Sequence, residues 1–177
     1  MALVLNNFSL ELEESKVTGI LTNDKEIVSK KIVNEIDKKR ISYGYNKKYP
    51  NDMLIGLTVR EELSLALQKY NYRKETINKK CIDALSVVAL PSNLLERKSY
   101  SLSSGEKKLL TIAINLITNP KIIVLDNPNL YLDDTSKKKL AKVLKKITKR
   151  YNKIVIIISN NINYIYNTCD KDRKSVV

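Results

Sequence analysis

The sequence has no histidine, only two cysteines and no long apolar run. The absence of histidine excludes catalysis by an imidazole base and any histidine metal ligand. Cys81 and Cys169 lack metal-ligand spacing, so they predict neither a disulfide framework nor a zinc site and are typical of a reducing compartment. No apolar run approaches the roughly 20 residues of a membrane-spanning helix, and the first residues do not resemble a signal peptide.

Acidic residues are scarce beside basic ones, 19 against 32, which gives a formal net charge of +13. A charge this basic is compatible with a solvated surface, a face toward a membrane or protein partner, or nucleic-acid binding. Only six of the basic residues are arginine, and the lysines are scattered over most predicted helices, which favours a solvated surface. Because no coiled-coil arm or aromatic-interleaved basic stripe accompanies them, we expect no nucleic-acid partner.

The apolar pattern predicts strands that alternate with helices. The predicted strands are residues 8–13, 16–21, 41–45, 121–125 and 154–158, and the predicted helices are 26–38, 103–118 and 134–150. Most of these strands are continuously apolar, which indicates an α/β fold whose parallel sheet is covered on both faces.

Residues 58–90 are predicted to be helical in two pieces, broken near Asn71, with a third short piece beginning at Pro91. The block from 57 to 100 is therefore almost purely helical and interrupts the strand–helix alternation. We expect a single domain over residues 1–177 that contains an inserted helical subdomain over 57–100.

Two short motifs carry chemistry. Ser103 and Glu106 match a capping box, S-x-x-E, which is an ordinary helix start. The same start presents free backbone N–H groups and the positive end of a helix dipole, and these bind phosphate. The apolar run 122–125 ends at Asp126, before a turn-forming Asn-Pro; such a carboxylate either ends the strand or acts on the Mg²⁺ of a bound triphosphate.

The order and spacing of these motifs resemble the ATPase domain of ABC transporters. Residues 103–106 are similar to the signature motif, the strand ending at Asp126 to Walker B, Leu132-Asp133 to the D-loop, and Asn160 to the position of the switch histidine. The resemblance runs from about residue 5 to 170 and is strongest to energy-coupling-factor and cobalt-type transporter ATPases. It implies a P-loop NTPase-like sheet with an inserted helical subdomain.

The phosphate loop departs from the family pattern G-x-x-x-x-G-K-[ST]. Thr22 and Ile27 replace the two glycines, Val28 replaces the lysine, and only Ser29 is kept. The loop therefore loses the backbone freedom of glycine, the amide nest that holds phosphate, and the cation beside it. Ser104, which replaces a signature glycine, would matter only if its φ were positive.

Three further positions depart from the family. Asn127 stands where the catalytic glutamate is expected, and an amide cannot act as a base at neutral pH. Asn160 replaces the switch histidine, and Lys48 falls where the Q-loop glutamine is expected. The sequence therefore predicts no catalytic residue. Asp24 and Glu26 add negative charge where phosphate would lie.

In this family an ATP site is composite, since one subunit supplies the phosphate loop, Walker B and switch residue and the facing subunit supplies the signature and D-loop. The resemblance implies ATP and Mg²⁺ at a site shared with a complete ABC ATPase subunit. It also implies a transmembrane transporter subunit, and a cytoplasmic location on the inner face of the membrane. The implied cofactor-contacting residues are Ser29, Ser103, Ser104, Gly105, Glu106 and Asp133, with Asp126 and Ser29 as the magnesium ligands.

Three alternatives remain open at this point. The first is an unconventional working ATPase in which Lys25 or Lys30 replaces the missing lysine. The second is a nucleic-acid-associated relative of the family, and the third is a gene product without function.

Overall fold

The main sheet consists of five parallel strands, in the spatial order Tyr43–Asn46, Ile122–Asp126, Ile154–Ser159, Val17–Leu21 and Arg173–Ser175. The computed structural model describes residues 2–5, 8–170 and 173–175, and the chain divides into two compact units, residues 1–48 with 120–177 and residues 49–119. The strands are β1 Ala2–Leu5, β2 Phe8–Glu11, β3 Val17–Leu21, β4 Tyr43–Asn46, β5 Ile122–Asp126, β6 Ile154–Ser159 and β7 Arg173–Ser175. The helices are α1 Lys25–Lys38, α2 Val59–Leu65, α3 Lys74–Val87, α4 Ser104–Leu116, α5 Asp134–Tyr151 and α6 Ile162–Thr168.

The first unit holds the sheet, an antiparallel β1–β2 hairpin and helices α1, α5 and α6. Every residue of β6 is buried, as expected for a central parallel strand covered on both faces. Val28, Ile32 and Ile36 recur at helical spacing on α1 and pack into the core with strand residues such as Ile156. The predicted α/β class with a parallel sheet is confirmed.

The carboxyl ends of β3, β4, β5 and β6 meet at one edge of the sheet, because the strands are parallel and in register. Residues that end neighbouring strands are thereby brought together although they are distant in sequence. Open α/β sheets bind ligands at this edge. The first unit therefore presents its polar strand ends, including Asp126 and Ser159, where the family resemblance predicts a nucleotide site.

The second unit is built from α2, α3 and α4 and several short 3-10 turns. The predicted break near Asn71 is present, since Asn71 has a left-handed backbone with φ of 47°. The predicted subdomain, 57–100, falls wholly inside this unit. Among the described residues, no helix has both the length and the apolar character needed to cross a membrane.

Three elements were not predicted, namely β1, β7 and α6. Each is short, with four, three and seven residues, and so carries little periodic signal. The predicted strand 8–13 ends earlier, at Glu11, and the predicted strand 41–45 is shifted to Tyr43–Asn46. Strand and helix boundaries are the part of a periodic pattern that local sequence defines least well.

Candidate functional site

The connection between β3 and α1 is the segment in register with a phosphate loop. It has three residues, 22–24, because β3 ends at Leu21 and α1 begins at Lys25. A phosphate loop needs the whole G-x-x-x-x-G span between strand and helix. Residues 25–29 are helical instead, so the backbone of this segment cannot form the amide nest that surrounds phosphate.

The side chains of this segment also differ from those of a phosphate site. Val28, at the position of the family lysine, is 5% exposed and packs in the core. Lys30 is exposed and pairs with Glu26 at 2.8 Å, and this contact lowers the pKa of the Glu26 carboxyl. The segment therefore offers no cation at the position where the family places one.

Ser29 and Asp126, the predicted magnesium pair, are both close to the Tyr45 hydroxyl. Tyr45 donates to the Asp126 Oδ2 at 3.3 Å. The buried Ser29 Oγ has no hydrogen-bond partner of ordinary geometry among the described residues, yet it lies near enough to the Tyr45 hydroxyl to lower the pKa of that phenol. Burial is the larger effect and raises the pKa of Tyr45, and the nearby Asp126 and Glu26 carboxylates raise it further.

Asn127, at the position of the catalytic glutamate, is turned into a buried polar cluster. It is 4% exposed, has a φ of 45°, and accepts a hydrogen bond from the Ser159 Oγ at 3.2 Å. The Asn129 Oδ1 lies 2.8 Å from the same hydroxyl, so the two amide oxygens share its single hydrogen, and the hydroxyl accepts from the Asn161 backbone N–H at 3.1 Å. Asn127 therefore joins β5 to β6, and its amide holds structure where a carboxylate would act on water.

Asn160 and Lys48, the other two residues that depart from the family pattern, lie just beyond strands β6 and β4. Asn160 is exposed directly after β6. Lys48 lies two residues beyond β4, whereas Asn46 is 1% exposed at the carboxyl end of that strand, beside Leu125 of β5. Asn46, rather than Lys48, occupies the strand end in the first unit.

These residues do not fit a magnesium–triphosphate complex. The Ser29 hydroxyl and the Asp126 carboxylate are oxygen ligands of the kind that magnesium accepts. The Tyr45 hydroxyl lies beside both of them, and the helical backbone after Asp24 leaves no cradle for the phosphate groups that normally complete such a site.

The signature-like segment, in contrast, is a well-formed helix start in the second unit. The Ser103 Oγ accepts from the Glu106 backbone N–H at 3.2 Å, and the Glu106 carboxylate accepts from the Ser103 N–H at 2.9 Å. Ser104 and Gly105 form the first turn of α4, and neither has a positive φ. The Cβ of Ser104 thus imposes no backbone strain, so serine is compatible with the start of α4 at this position.

Asp133, in the predicted D-loop, is the N-cap of α5 in the first unit. Its Oδ1 accepts from the Ser136 backbone N–H at 2.6 Å. That hydrogen bond is the largest cause that lowers the pKa of the Asp133 carboxyl, so the group is charged throughout the neutral range. The carboxylate both ends the loop and starts the helix that follows.

An apolar groove of about 580 Å³ lies in the second unit, lined in part by Ile55, Leu57, Leu65 and Tyr72. Ile55 and Leu57 are 82% and 70% exposed. Their loop is held by two carboxylates, since Gly56 N–H donates to Glu62 Oε1 at 2.9 Å and Leu57 N–H to Glu61 Oε2 at 2.8 Å. Apolar side chains are thus exposed on a fixed backbone.

The sequence profile of the ABC transporter family matches residues 5–130 of this chain. The chain belongs to the ABC transporter family. Within that family it is an ATPase domain, of a kind whose members bind ATP and Mg²⁺.

Curated relatives of this ABC ATPase domain come from the energy-coupling-factor group. The energy-coupling factor transporter ATP-binding protein EcfA2 of Caldanaerobacter subterraneus is 27% identical over 155 residues, which are 88% of this chain and 52% of the relative. EcfA2 of Spiroplasma kunkelii is 26% identical over 87% of this chain and 51% of its own length. The chain thus spans about half the length of the curated relatives it matches.

Solved ABC structures share the fold. CbiO1 from Clostridium perfringens, part of the ABC transporter complex CbiONQ, superposes with a TM-score of 0.82 at 22% identity over 94% of this chain and 78% of its own. The dimeric ATP-binding cassette MJ0796 bound to ADP and Pi gives 0.72 at 21% identity, over 96% and 87%. At these identities the likeness establishes the ABC ATPase fold.

Sequence reasoning missed Tyr45, Asn129 and Ser159 at this edge of the first unit. Tyr45 reads as an ordinary strand aromatic, and Ser159 as a polar residue directly after the predicted strand 154–158. Their partners, Asp126 and Asn127, lie 81 and 32 residues away. Only their position at parallel strand ends would have pointed to them.

Proposed function

We propose that this chain is an energy-coupling-factor type ATP-binding subunit that completes the nucleotide site of a partner and has a degenerate site of its own. The observation that carries the proposal is the contrast between its two phosphate-facing segments. The α4 start, Ser103 to Glu106, keeps the form of a signature motif, whereas α1 begins only three residues after β3. Hydrolysis would then occur at the partner's phosphate loop, with ATP and Mg²⁺ bound there.

The hydrogen bonds of the α4 start support this role. The Ser103 Oγ acts as an acceptor in the capping box, so its own hydrogen remains available to a phosphate oxygen. The first N–H groups of a helix have no intrahelical partner, and those of Ser104 and Gly105 belong to this set. Asp133 would couple the two nucleotide sites of the assembly through its fixed position at the α5 start.

Glu106 modifies this picture, since the family has glutamine there. Its carboxylate is held at the Ser103 N–H, close to where a partner's phosphate would approach. Glutamine also completes a capping box. Glu106→Gln would therefore keep the helix start, remove the repulsion, and raise ATP hydrolysis by the mixed assembly a few-fold.

Two kinds of partner follow from the proposal, a complete ABC ATPase subunit and a transmembrane transporter subunit. The relatives named EcfA2 are transporter ATP-binding proteins, and CbiO1 is part of a transporter complex. The apolar groove at Ile55 and Leu57, which begins just before the proposed helical subdomain 57–100 and continues into it, offers contact area to a cytoplasmic segment of the transmembrane subunit. The chain would then lie on the inner face of the membrane.

The test is a charge change at Ser103 that preserves the helix cap. Asp and Asn cap helices about as well as Ser and are nearly identical in shape, so Ser103→Asp and Ser103→Asn differ in charge alone. After gentle detergent purification with the partner ATPase, Ser103→Asp is expected to lower hydrolysis by the mixed assembly about 100-fold, the scale of losing one transition-state contact. Ser103→Asn is expected to retain most of it.

Two results would contradict the proposal. Unchanged hydrolysis with Ser103→Asp would remove Ser103 from the partner's site. Mg²⁺-dependent hydrolysis by the purified chain alone, lost on Asp126→Ala, would instead support the unconventional ATPase.

A further inference from the structure

A second cavity of about 580 Å³ lies in the first unit, between α5 and α6. Four lysines line it on the α5 side, Lys137, Lys138, Lys142 and Lys145, and three asparagines line it on the α6 side, Asn161, Asn163 and Asn167. Five of them, Lys138, Lys142, Lys145, Asn163 and Asn167, define the lysine groove. It plays no part in the nucleotide chemistry proposed above.

The three lysines of the lysine groove form a row along one face of α5. Their spacing, i, i+4 and i+7, places one ammonium per turn over about 10 Å of helix. Like charges at this spacing repel each other. The one carboxylate among the lining residues, Asp134, already pairs with Lys137 at 3.1 Å. The groove is thus a concentrated positive surface, and a bound anion would relieve its internal repulsion.

The opposite wall supplies neutral hydrogen-bond donors. Asn163 and Asn167 lie one turn apart on α6 and both line the cavity. An amide NH₂ has two donors and an ammonium has three, which suits an anion with several oxygens. The lining residues include one aromatic, Tyr164, and it is 5% exposed, so the cavity offers no exposed ring for a nucleobase to stack on.

We propose that the lysine groove binds a small anion that carries two or more phosphate groups. The volume falls within the roughly 300–1,000 Å³ of small-molecule sites. The length of the lysine row exceeds what a single carboxylate or phosphate needs, and recognition rests on charge and amide donors. The same phosphate chemistry is offered by a soluble polyphosphate and by an anionic lipid headgroup, and the experiment separates these sources.

The test compares two charge-matched double variants of α5 by isothermal titration calorimetry with sodium tripolyphosphate. Lys138→Ala/Lys142→Ala removes two lysines of the lysine groove. Lys139→Ala/Lys149→Ala removes two exposed lysines of the same helix that do not line it. One site per chain is expected, weakened at least tenfold in the groove variant and less than twofold in the control. Circular dichroism checks that both variants keep their helices.

Equal weakening in the two variants, or no binding to the unsubstituted chain, overturns the proposal, because the net charge alone then accounts for any signal. Stronger binding of a polyglutamate peptide than of tripolyphosphate, with the same dependence on the groove lysines, also overturns it. Groove-dependent binding to cardiolipin vesicles, whose headgroup carries two phosphates, supports the phosphate chemistry at the same lysines and assigns its source to the headgroup.

Discussion

The starts of α1 and α4 are the two places where an ABC ATPase domain faces phosphate, and in this chain they differ sharply. At α4 the N-cap Ser103 has an extended backbone, φ −62° and ψ 160°, and a reciprocal capping box with Glu106. At α1 the N-cap Asp24 has φ −91° and ψ 56° and makes no side-chain cap bond. The start of α4 is therefore stabilised by its own local hydrogen bonds, whereas the start of α1 depends on the packing of the residues that follow.

The difference shows that a helix N-terminus alone does not make a phosphate site. Both helices carry the same dipole and the same free N–H groups at their starts. The start of α1 lacks a phosphate loop before it and a lysine at the family position within it. Val28 stands at that position and packs in the core, and the nearby Lys30 is paired with Glu26. A segment without the family's phosphate loop is thus compatible with a stable helix.

The largest effect is expected from restoring the family lysine at position 28. Val28→Lys would place an ammonium in the core, with no acidic partner supplied, at a cost of about 3 kcal/mol in the free energy of unfolding. Ile27→Lys, at a position 55% exposed, is the control and should stay within about 0.5 kcal/mol. Urea denaturation measures both. A stable Val28→Lys variant that binds MgATP would show that α1 can rearrange into a phosphate loop.

A smaller loss is expected from restoring the glutamate at position 127. Asn127→Glu breaks the hydrogen bond to the Ser159 hydroxyl, and it places glutamate, which disfavours a positive φ, at a backbone φ of 45°. The two effects together should lower the free energy of unfolding by about 2 kcal/mol. Asn160→Glu makes the same exchange at an exposed neighbour and should be nearly neutral. Thermal and denaturant unfolding check the pair. Gain of hydrolysis in Asn127→Glu would contradict a structural role for the buried amide.

The two helix caps give the most direct comparison. Ser103→Ala removes the capping box of α4 and should cost about 1 kcal/mol. Asp24→Ala removes no side-chain cap bond and should cost less than about 0.5 kcal/mol. Denaturant unfolding of the two variants under one condition measures the difference. Equal losses would mean that Asp24 caps α1 in solution and that the contrast between the two starts is smaller than the structure indicates.

The smallest effect is expected from Lys30→Ala. The Lys30–Glu26 pair is exposed on both sides, and such pairs contribute little to stability. Stability should be nearly unchanged, and the affinity of the purified chain for a fluorescent ATP analogue should not change. A clear fall in that affinity would identify Lys30 as a substitute for the family lysine and would favour an active site of its own.

Much of the fold could be predicted from the sequence. The strand now bounded as Ile154–Ser159 and the helix Asp134–Tyr151 were predicted to within one residue at each end, because their apolar spacing is strong and continuous. The Ser103–Glu106 capping box was predicted from residues three positions apart. Short elements such as α6 were missed, since seven residues give too few periods to recognise.

The candidate site was predicted less completely. Ser29 and Asp126 were placed by family register, but Tyr45, which contacts Asp126, gave no signal in the sequence. Asn127 was identified as a departure, yet its burial against Ser159 was not foreseen. In both cases the missing information is a contact between strand ends that are far apart along the chain.

The sequence by itself determined the family, the order of the elements and the helix start at Ser103, because each depends on spacing within a few residues or on a motif that is read in order. The tertiary structure alone decided which polar groups meet at the carboxyl edge of the sheet. Parallel pairing aligns β4, β5 and β6 there and brings Tyr45 to Asp126 and Asn127 to Ser159. Such pairings join strands that are far apart along the chain, and the residue spacing within one strand does not say which strands become its neighbours.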